Sequence, residues 1–221
     1  MSEPSDDLRE WRDAYREAEI GPGYSGWLHF AFTTIGSLAT IGFATSRLVN
    51  VRPLEWALVP LFFLIANFGE YLGHRGPMHH RRRGLSLVFI RHTLQHHRFF
   101  TDEAMACESA RDFKIMLFPP VMLLFFIGGM SLPIGALFYL LVSPNAGWLF
   151  GIVGIGYFLL YEWLHFLYHL PDEGAVRRIP FLAALRRHHQ AHHDPSLMTR
   201  WNFNITFPIA DRLFGTVYRG N

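Results

Sequence analysis

WLFGIVGIGYFLLYEWLHFLYHL, residues 148–170, is an apolar run that ends in Glu162, His165 and His169. Crossing the hydrocarbon core of a bilayer takes about 20 mostly apolar residues in a helix. Three more stretches of this kind precede it, roughly Trp27 to Val49, Pro53 to Leu72 and Ile115 to Val142. The third of the four is overlong and interrupted by Gly128-Gly129 and Pro133, which predicts a tilted, kinked or broken span. Half of the 221 residues are hydrophobic, so four such runs leave too little polar surface to cover them in a soluble fold.

Charge sets the expected orientation. The segment between the second and third spans carries Arg75, Arg81, Arg82, Arg83, Arg91, Arg98, Arg111 and Lys114. The C-terminal segment carries Arg177, Arg178, Arg186, Arg187, Arg200, Arg212 and Arg219, whereas the opposite loops offer only Arg47 and Arg52. The positive-inside rule therefore puts the N-terminus, the middle segment and the C-terminus in the cytoplasm. Met1 to Glu10 is polar and acidic, unlike a cleavable signal peptide. Of the 20 basic residues only Lys114 is lysine, a bias associated with GC-rich bacterial genomes, so a bacterial inner membrane is expected.

These readings divide the chain, taken as one membrane domain, into an N-terminal cytoplasmic or interfacial helix (1–22), a first helical pair (27–72), a cytoplasmic histidine segment (73–114), a second helical pair (115–170) and a C-terminal cytoplasmic cap (171–221). Asp7 to Ile20 reads as amphipathic, with Leu8, Trp11, Tyr15 and Ile20 toward one side, and Ala175 to Leu185 is similar. Each can lie in the membrane interface or pack on the protein's own cap.

Twelve of the 13 histidines fall into four clusters: His74/His79/His80, His92/His96/His97, His165/His169 and His188/His189/His192/His193. The predicted topology puts all four on one side of the membrane. His29, alone in the first span, reads as a packed or pore-facing residue. Imidazole is the commonest side-chain metal ligand. His92/His96, His165/His169 and His189/His193 are four apart and His189/His192 three apart, separations that share a helix face, so each pair can aim at one point. His74 and His79 straddle Gly76-Pro77, where the second span gives way to a turn. A helical pair supplies two ligands where an ion takes roughly four to six, so ten or more histidines suit two ions. A nearly pure nitrogen shell fits iron, zinc, copper or nickel, and not calcium or magnesium. His80 and His188 duplicate better-spaced neighbours and rank as alternates.

Other chemistries lack their residues. Cys107 is the sole cysteine, which excludes a disulfide framework, a thiolate zinc site and an iron–sulfur cluster. Neither HExxH nor a nucleophile elbow occurs. No nucleic-acid partner is expected.

The motifs HRGPMHH (74–80), HTLQHH (92–97), EWLHFLYH (162–169) and HHQAHH (188–193), with the tail NFNITFPIADRLFGT (202–216), resemble the fatty acid hydroxylase/sterol desaturase superfamily of membrane di-iron proteins. The resemblance runs from about Phe62 to Tyr218. It implies an all-α integral membrane protein of about four transmembrane helices, with a cytoplasmic helical cap holding a histidine-rich dimetal site. The implied ligands are His74, His79, His92, His96, His97, His165, His169, His189, His192 and His193. The family's usual second box has two residues between its first two histidines. Here three lie between His92 and His96, a departure that bears on His92 and that four-residue helical spacing accommodates. Metal-bound imidazoles usually donate their other N–H to a carboxylate or carbonyl, which nominates Glu70, Glu162, Asp194 and Asp211 as supporting acids.

The implied activity is O₂-dependent hydroxylation of a lipid acyl chain by two iron ions, which zinc can replace in purified protein. The first-box spacing is more like that of the fatty acid 2-hydroxylases than of the sterol enzymes. No redox cofactor motif is visible, so a separate electron donor of cytochrome b5, ferredoxin or flavin reductase type is expected. Competing readings are oxidation of a sterol, carotenoid or ether lipid, a zinc-dependent lipid hydrolase, and a non-enzymatic metal-binding membrane protein.

Overall fold

A computed structural model describes residues 4–171 and 178–220, which form helices joined by turns and loops. Among the described residues, four helical segments are long and apolar enough to cross a membrane: Gly26–Ser46, Pro53–Met78, Ala110–Leu141 and Pro144–Tyr168. The protein is an all-α integral membrane protein. The chain divides into two compact units. Unit one holds the residues up to Trp27, Asn67–Leu117 and the residues from Trp163 on; unit two holds Leu28–Ala66 and Phe118–Glu162.

Unit two is built for lipid as solvent. On the first span His29, Thr33 and Ser37 follow one another at four-residue spacing and are buried, while Leu28 is 72% exposed and Phe32, Ile35 and Leu38 also face outward. Polar groups turn inward and apolar ones outward because nothing in the hydrocarbon core can hydrogen-bond them. Gly135 and Gly147 let two helices approach closely: a methyl group on Gly147 would lie 2.6 Å from the Gly135 carbonyl oxygen and 2.6 Å from Tyr139 Cβ. At the loops, buried Glu55 accepts hydrogen bonds from Ser143 Oγ, from Asn145 Nδ2 at 3.1 Å and from Arg52 N at 2.7 Å.

The third span is broken upstream of the interruptions expected from its sequence. Its helix ends at extended Leu117 and resumes at Val121 after Pro119-Pro120. Two adjacent prolines remove two N–H donors, and the residue before a proline is pushed out of the helical region. Gly128-Gly129 instead sits in a wide π-turn, Phe126–Ser131, and Pro133 opens the helix Leu132–Leu141. The backbone freed at the break is re-satisfied by side chains within unit two. Phe118 N donates to Glu162 Oε1 at 3.2 Å, and the Phe118 carbonyl accepts from His29 Nε2 at 2.9 Å. His29 is thus a packed residue with a backbone partner.

Unit one begins with the helix Asp6–Glu19. Ser5 caps it, its side chain accepting from Leu8 N at 3.3 Å, and Asp6 and Asp7 sit in the first turn, where the helix dipole favours negative charge. Trp11 and Tyr15 pack edge-on against Phe99, so this helix lies on the protein's own unit. Of the second amphipathic stretch, Ala175 to Arg177 lie outside the described residues; from Pro180 the chain forms the helix Pro180–His192. The tail folds back on itself, with Asn202 N donating to the Thr216 carbonyl at 2.8 Å and Tyr218 N to Asn202 Oδ1 at 2.8 Å.

Candidate metal centre

All ten nominated histidines lie in unit one, and they gather into two groups of five. One contains His74, His79, His92, His97 and His192; the other contains His96, His165, His169, His189 and His193. Within each group the candidate ligand atoms all lie within 4.8 Å of one another.

The partition does not follow the boxes. His92 and His96, four apart, fall into different groups, and so do His189 and His192, three apart. The reason is local helix geometry. His74–Met78 and Ile90–His96 are π-turns, in which residues five apart come onto one face. His74 therefore pairs with His79, and His92 with His97. The extra residue of the second box is absorbed by that wider turn, which retains His92 and frees His96 for the other group. In the regular helices Pro144–Tyr168 and Pro180–His192 the four-residue rule holds, and His165/His169 and His189/His193 share a group.

In both groups the Nε2 atoms point inward. In the first, His74 and His92 approach to 2.8 Å, His79 and His192 to 2.9 Å, and His92 and His97 to 3.1 Å. In the second, His96–His165, His165–His169 and His169–His189 are each 3.2 Å apart, and His189–His193 is 3.1 Å.

Five of the outward nitrogens meet backbone carbonyls. His192 Nδ1 donates to Trp201 O at 2.8 Å, His169 Nδ1 to Met105 O at 2.8 Å and His96 Nδ1 to Ile115 O at 3.1 Å. His74 donates to Phe203 O and His193 to Phe100 O. Thr93 Oγ1 gives its proton to Met78 O at 2.6 Å, so toward His79 Nδ1, at 3.3 Å, it can only accept. A carbonyl or a spent hydroxyl requires the proton to be on Nδ1, which leaves an Nε2 lone pair facing inward.

His79 and His192 are both held in this tautomer, so two acceptor nitrogens face each other at 2.9 Å in a buried site. Two lone pairs at that distance repel. A shared cation removes the conflict, because nitrogens bound at right angles to one ion at about 2.0–2.1 Å sit about 3 Å apart. Burial first, then the neighbouring imidazoles, hold His79, His92, His97, His169 and His189 below the usual histidine range, and burial does the same for His96, His192 and His193. Neutral imidazoles with inward lone pairs are the ligand form. The donor set therefore fits two metal ions, five imidazoles to each.

The four nominated acids do other work. Glu70 accepts from Thr206 N at 3.0 Å, Thr206 Oγ1 at 2.7 Å and Asn204 Nδ2 at 3.3 Å, and from Ile205 N. Asp211 accepts from Asn204 N at 2.7 Å, Phe203 N at 3.0 Å and Thr216 Oγ1 at 2.7 Å, and meets His188 Nε2 at 3.2 Å. These two acids anchor the loop whose Phe203 carbonyl orients His74, so they act one step removed from the imidazole. Glu162 caps the broken third span, and Asp194 accepts from Ser196 N and Oγ, both at 2.7 Å, in a turn. At His74, His96, His169, His192 and His193 backbone carbonyls have taken the role expected of carboxylates: they fix the tautomer without adding negative charge to a buried site. His188 and exposed His80 stand outside both groups, His80 with its Nδ1 on Arg75 O at 2.8 Å. A cavity of about 500 Å³, lined in part by Leu8, Thr93, Asp102 and Met198, reaches His97.

A fatty acid hydroxylase family model matches residues 59–216, which include all ten histidines. The chain belongs to that family. Its membership of the fatty acid hydroxylase/sterol desaturase superfamily, expected from the boxes and the tail, thus stands on both the family match and the paired histidine groups. No curated protein and no solved structure matches this fatty acid hydroxylase family chain. The match leaves the helix Asp6–Glu19 outside the family region.

Proposed function

We propose that this protein hydroxylates a lipid acyl chain with O₂, using two iron ions held by the ten histidines. The observation that carries this reading is the pair of all-histidine groups with five inward nitrogens each. Catalytic zinc is typically held by three protein ligands, and structural zinc by four. Five imidazoles per ion suit the higher coordination of iron and count against the zinc hydrolase.

The bound irons would supply the reduction of O₂ that oxidises an unactivated C–H bond. The balance of the reaction requires that one oxygen atom enter the C–H bond while the other leaves as water. Two electrons come from a separate donor of cytochrome b5, ferredoxin or flavin reductase type, and two protons come from water. The protein's own share is positioning. The carbonyls of Phe203, Trp201, Ile115, Met105 and Phe100 hold five imidazoles in one tautomer, and Thr93 does the same for His79. Burial of both groups excludes bulk water from them.

A lipid substrate is supported by the membrane spans and by an apolar cavity of about 640 Å³ in unit two, whose lining includes Phe43, Ala136, Tyr139, Trp148 and Ile155. Orientation with the histidine groups toward the cytoplasm is supported by the arginine distribution, with Arg81, Arg82 and Arg83 exposed beside the first box, and a bacterial inner membrane by the excess of arginine over lysine.

The test compares lipids from host membranes with and without the gene under ¹⁸O₂, by mass spectrometry. A lipid that gains one labelled oxygen is the expected product. Unlabelled lipids with no new double bond overturn the oxidase reading, and zinc in place of iron in protein from the native host overturns the metal assignment.

A further inference from the structure

We infer that Arg12, in the N-terminal helix outside the family region, is a positioning residue for the second histidine group. The inference rests on the two-metal reading above. Two imidazoles of that group take their orientation from one stretch of chain: His193 from the Phe100 carbonyl and His169 from the Met105 carbonyl. Phe100–Ser109 is without regular helix, so no ladder of its own fixes where these carbonyls point; Gln190 Nε2 on the Asp102 carbonyl at 2.7 Å and Cys107 N on the His169 carbonyl at 2.8 Å tie it elsewhere.

Arg12 constrains the stretch next to both orienting carbonyls. Its Nε donates to the Phe99 carbonyl at 2.8 Å and its Nη2 to the Ala104 carbonyl at 2.6 Å. Phe99 and Ala104 each immediately precede a carbonyl that orients a histidine. The third arm, Nη1, meets Glu108 Oε1 at 2.7 Å, and the guanidinium lies over the Phe99 ring at 5.0 Å and the Phe100 ring at 5.8 Å. Arg12 is only 1% exposed, an uncommon position for a charge unless every donor is used. A guanidinium's rigid fork can hold several acceptors at fixed separations, which an ammonium cannot. Arg16 secures the far end of the stretch, with Nη2 on Glu108 Oε2 at 2.7 Å and Nε on Asp112 Oδ1 at 2.8 Å.

The first group has a different scaffold. His74 and His192 are oriented by the Phe203 and Trp201 carbonyls of the C-terminal loop. Arg12 holds neither of those carbonyls, so the N-terminal helix clamps the second group more directly than the first, which it reaches through the short helix His97–Phe99.

The test uses full-length protein purified from an iron-supplied host, read by iron per chain and by the rate of iron release to a chelator. Wild type is expected to hold about two irons. Arg12→Gln is expected to fall to about one, with helix content unchanged, and Arg12→Lys to retain iron roughly 10–100-fold less tightly at the same group, the usual effect of removing an outer-shell partner. Double variants identify which ion is lost. Adding His193→Ala to Arg12→Gln should remove no more iron, whereas adding His79→Ala should remove the remainder. If Arg12→Gln does not insert, the release rate of Arg12→Lys carries the test. Two irons with wild-type release from both Arg12 variants overturn the assignment, as does equal loss from the two groups. Wild type without two metal ions overturns the two-metal reading itself, and Arg12 with it.

Discussion

Asp211 is the sharpest single perturbation outside the histidines. It is fully buried and accepts from two backbone N–H groups, those of Phe203 and Asn204, and from the Thr216 hydroxyl. Replacing it by alanine leaves both N–H groups without an acceptor in a site closed to water. Each orphaned group costs about 1–3 kcal/mol, so Asp211→Ala is expected to destabilise by about 2–6 kcal/mol. Asp211→Asn keeps one oxygen but turns an amide N–H₂ toward donors on the other side, for about 2–4 kcal/mol. Both variants loosen the Phe203 carbonyl and so the Nδ1 partner of His74, and iron should leave the first group before the second. The assay is unfolding in detergent micelles, followed by helix content, together with iron per chain. Burial pushes the Asp211 carboxyl up, but His188, the Asn204 and Phe203 N–H groups and Thr216 outweigh it and hold it below the usual carboxylate range. A lowered folded-state value means that its stabilisation is fully present above about pH 4 and is lost as pH falls through the folded value. The gap between wild type and Asp211→Asn should therefore narrow under acid. A destabilisation below about 1 kcal/mol for Asp211→Ala, with both irons retained, would refute the anchoring role.

His192→Ala should insert normally, lose the first-group iron and reduce ¹⁸O incorporation to background; full turnover in the lipid assay would remove His192 from the site. Gly147→Ala should cost about 1–3 kcal/mol, because its methyl group meets the Gly135 carbonyl and Tyr139. Gly151→Ala, with nothing within 4 Å of the added carbon, should be neutral in the same thermal unfolding series. Glu162→Leu should cost about 1–3 kcal/mol by leaving Phe118 N without its acceptor, while Glu162→Gln keeps an oxygen there and should lie within about 1 kcal/mol of wild type.

Much of the architecture is legible along the chain because it depends on local composition. A run such as 148–170 is a membrane span by its length and apolarity alone, whatever it packs against. The ten histidines are equally visible, since clustering is a property of the linear string. Residues that act through the backbone leave no such mark. Nothing at Phe100, Met105 or Phe203 announces that its carbonyl orients an imidazole, since every residue carries the same carbonyl. Thr93 could have been found, lying inside the HTLQHH box. Glu70 and Asp211 were visible as acids near histidines, but nearness in sequence did not tell whether they touch the ring or the loop behind it.

The sequence by itself determined the four spans, the family and the set of histidines, because each is written in residue type and spacing. Only the tertiary structure decided how ten imidazoles divide into two fives. The division depends on whether a turn closes after four residues or five, and the wide turns at His74–Met78 and Ile90–His96 send His92 toward His97 and release His96 to helices distant in the chain. It also decided that a buried arginine from outside the family region would grip the stretch that orients His169 and His193, since the contact joins residues 87 and 92 positions apart. Residue spacing relates side chains over about one helical turn; the site is assembled from segments brought together over far greater separations, by packing.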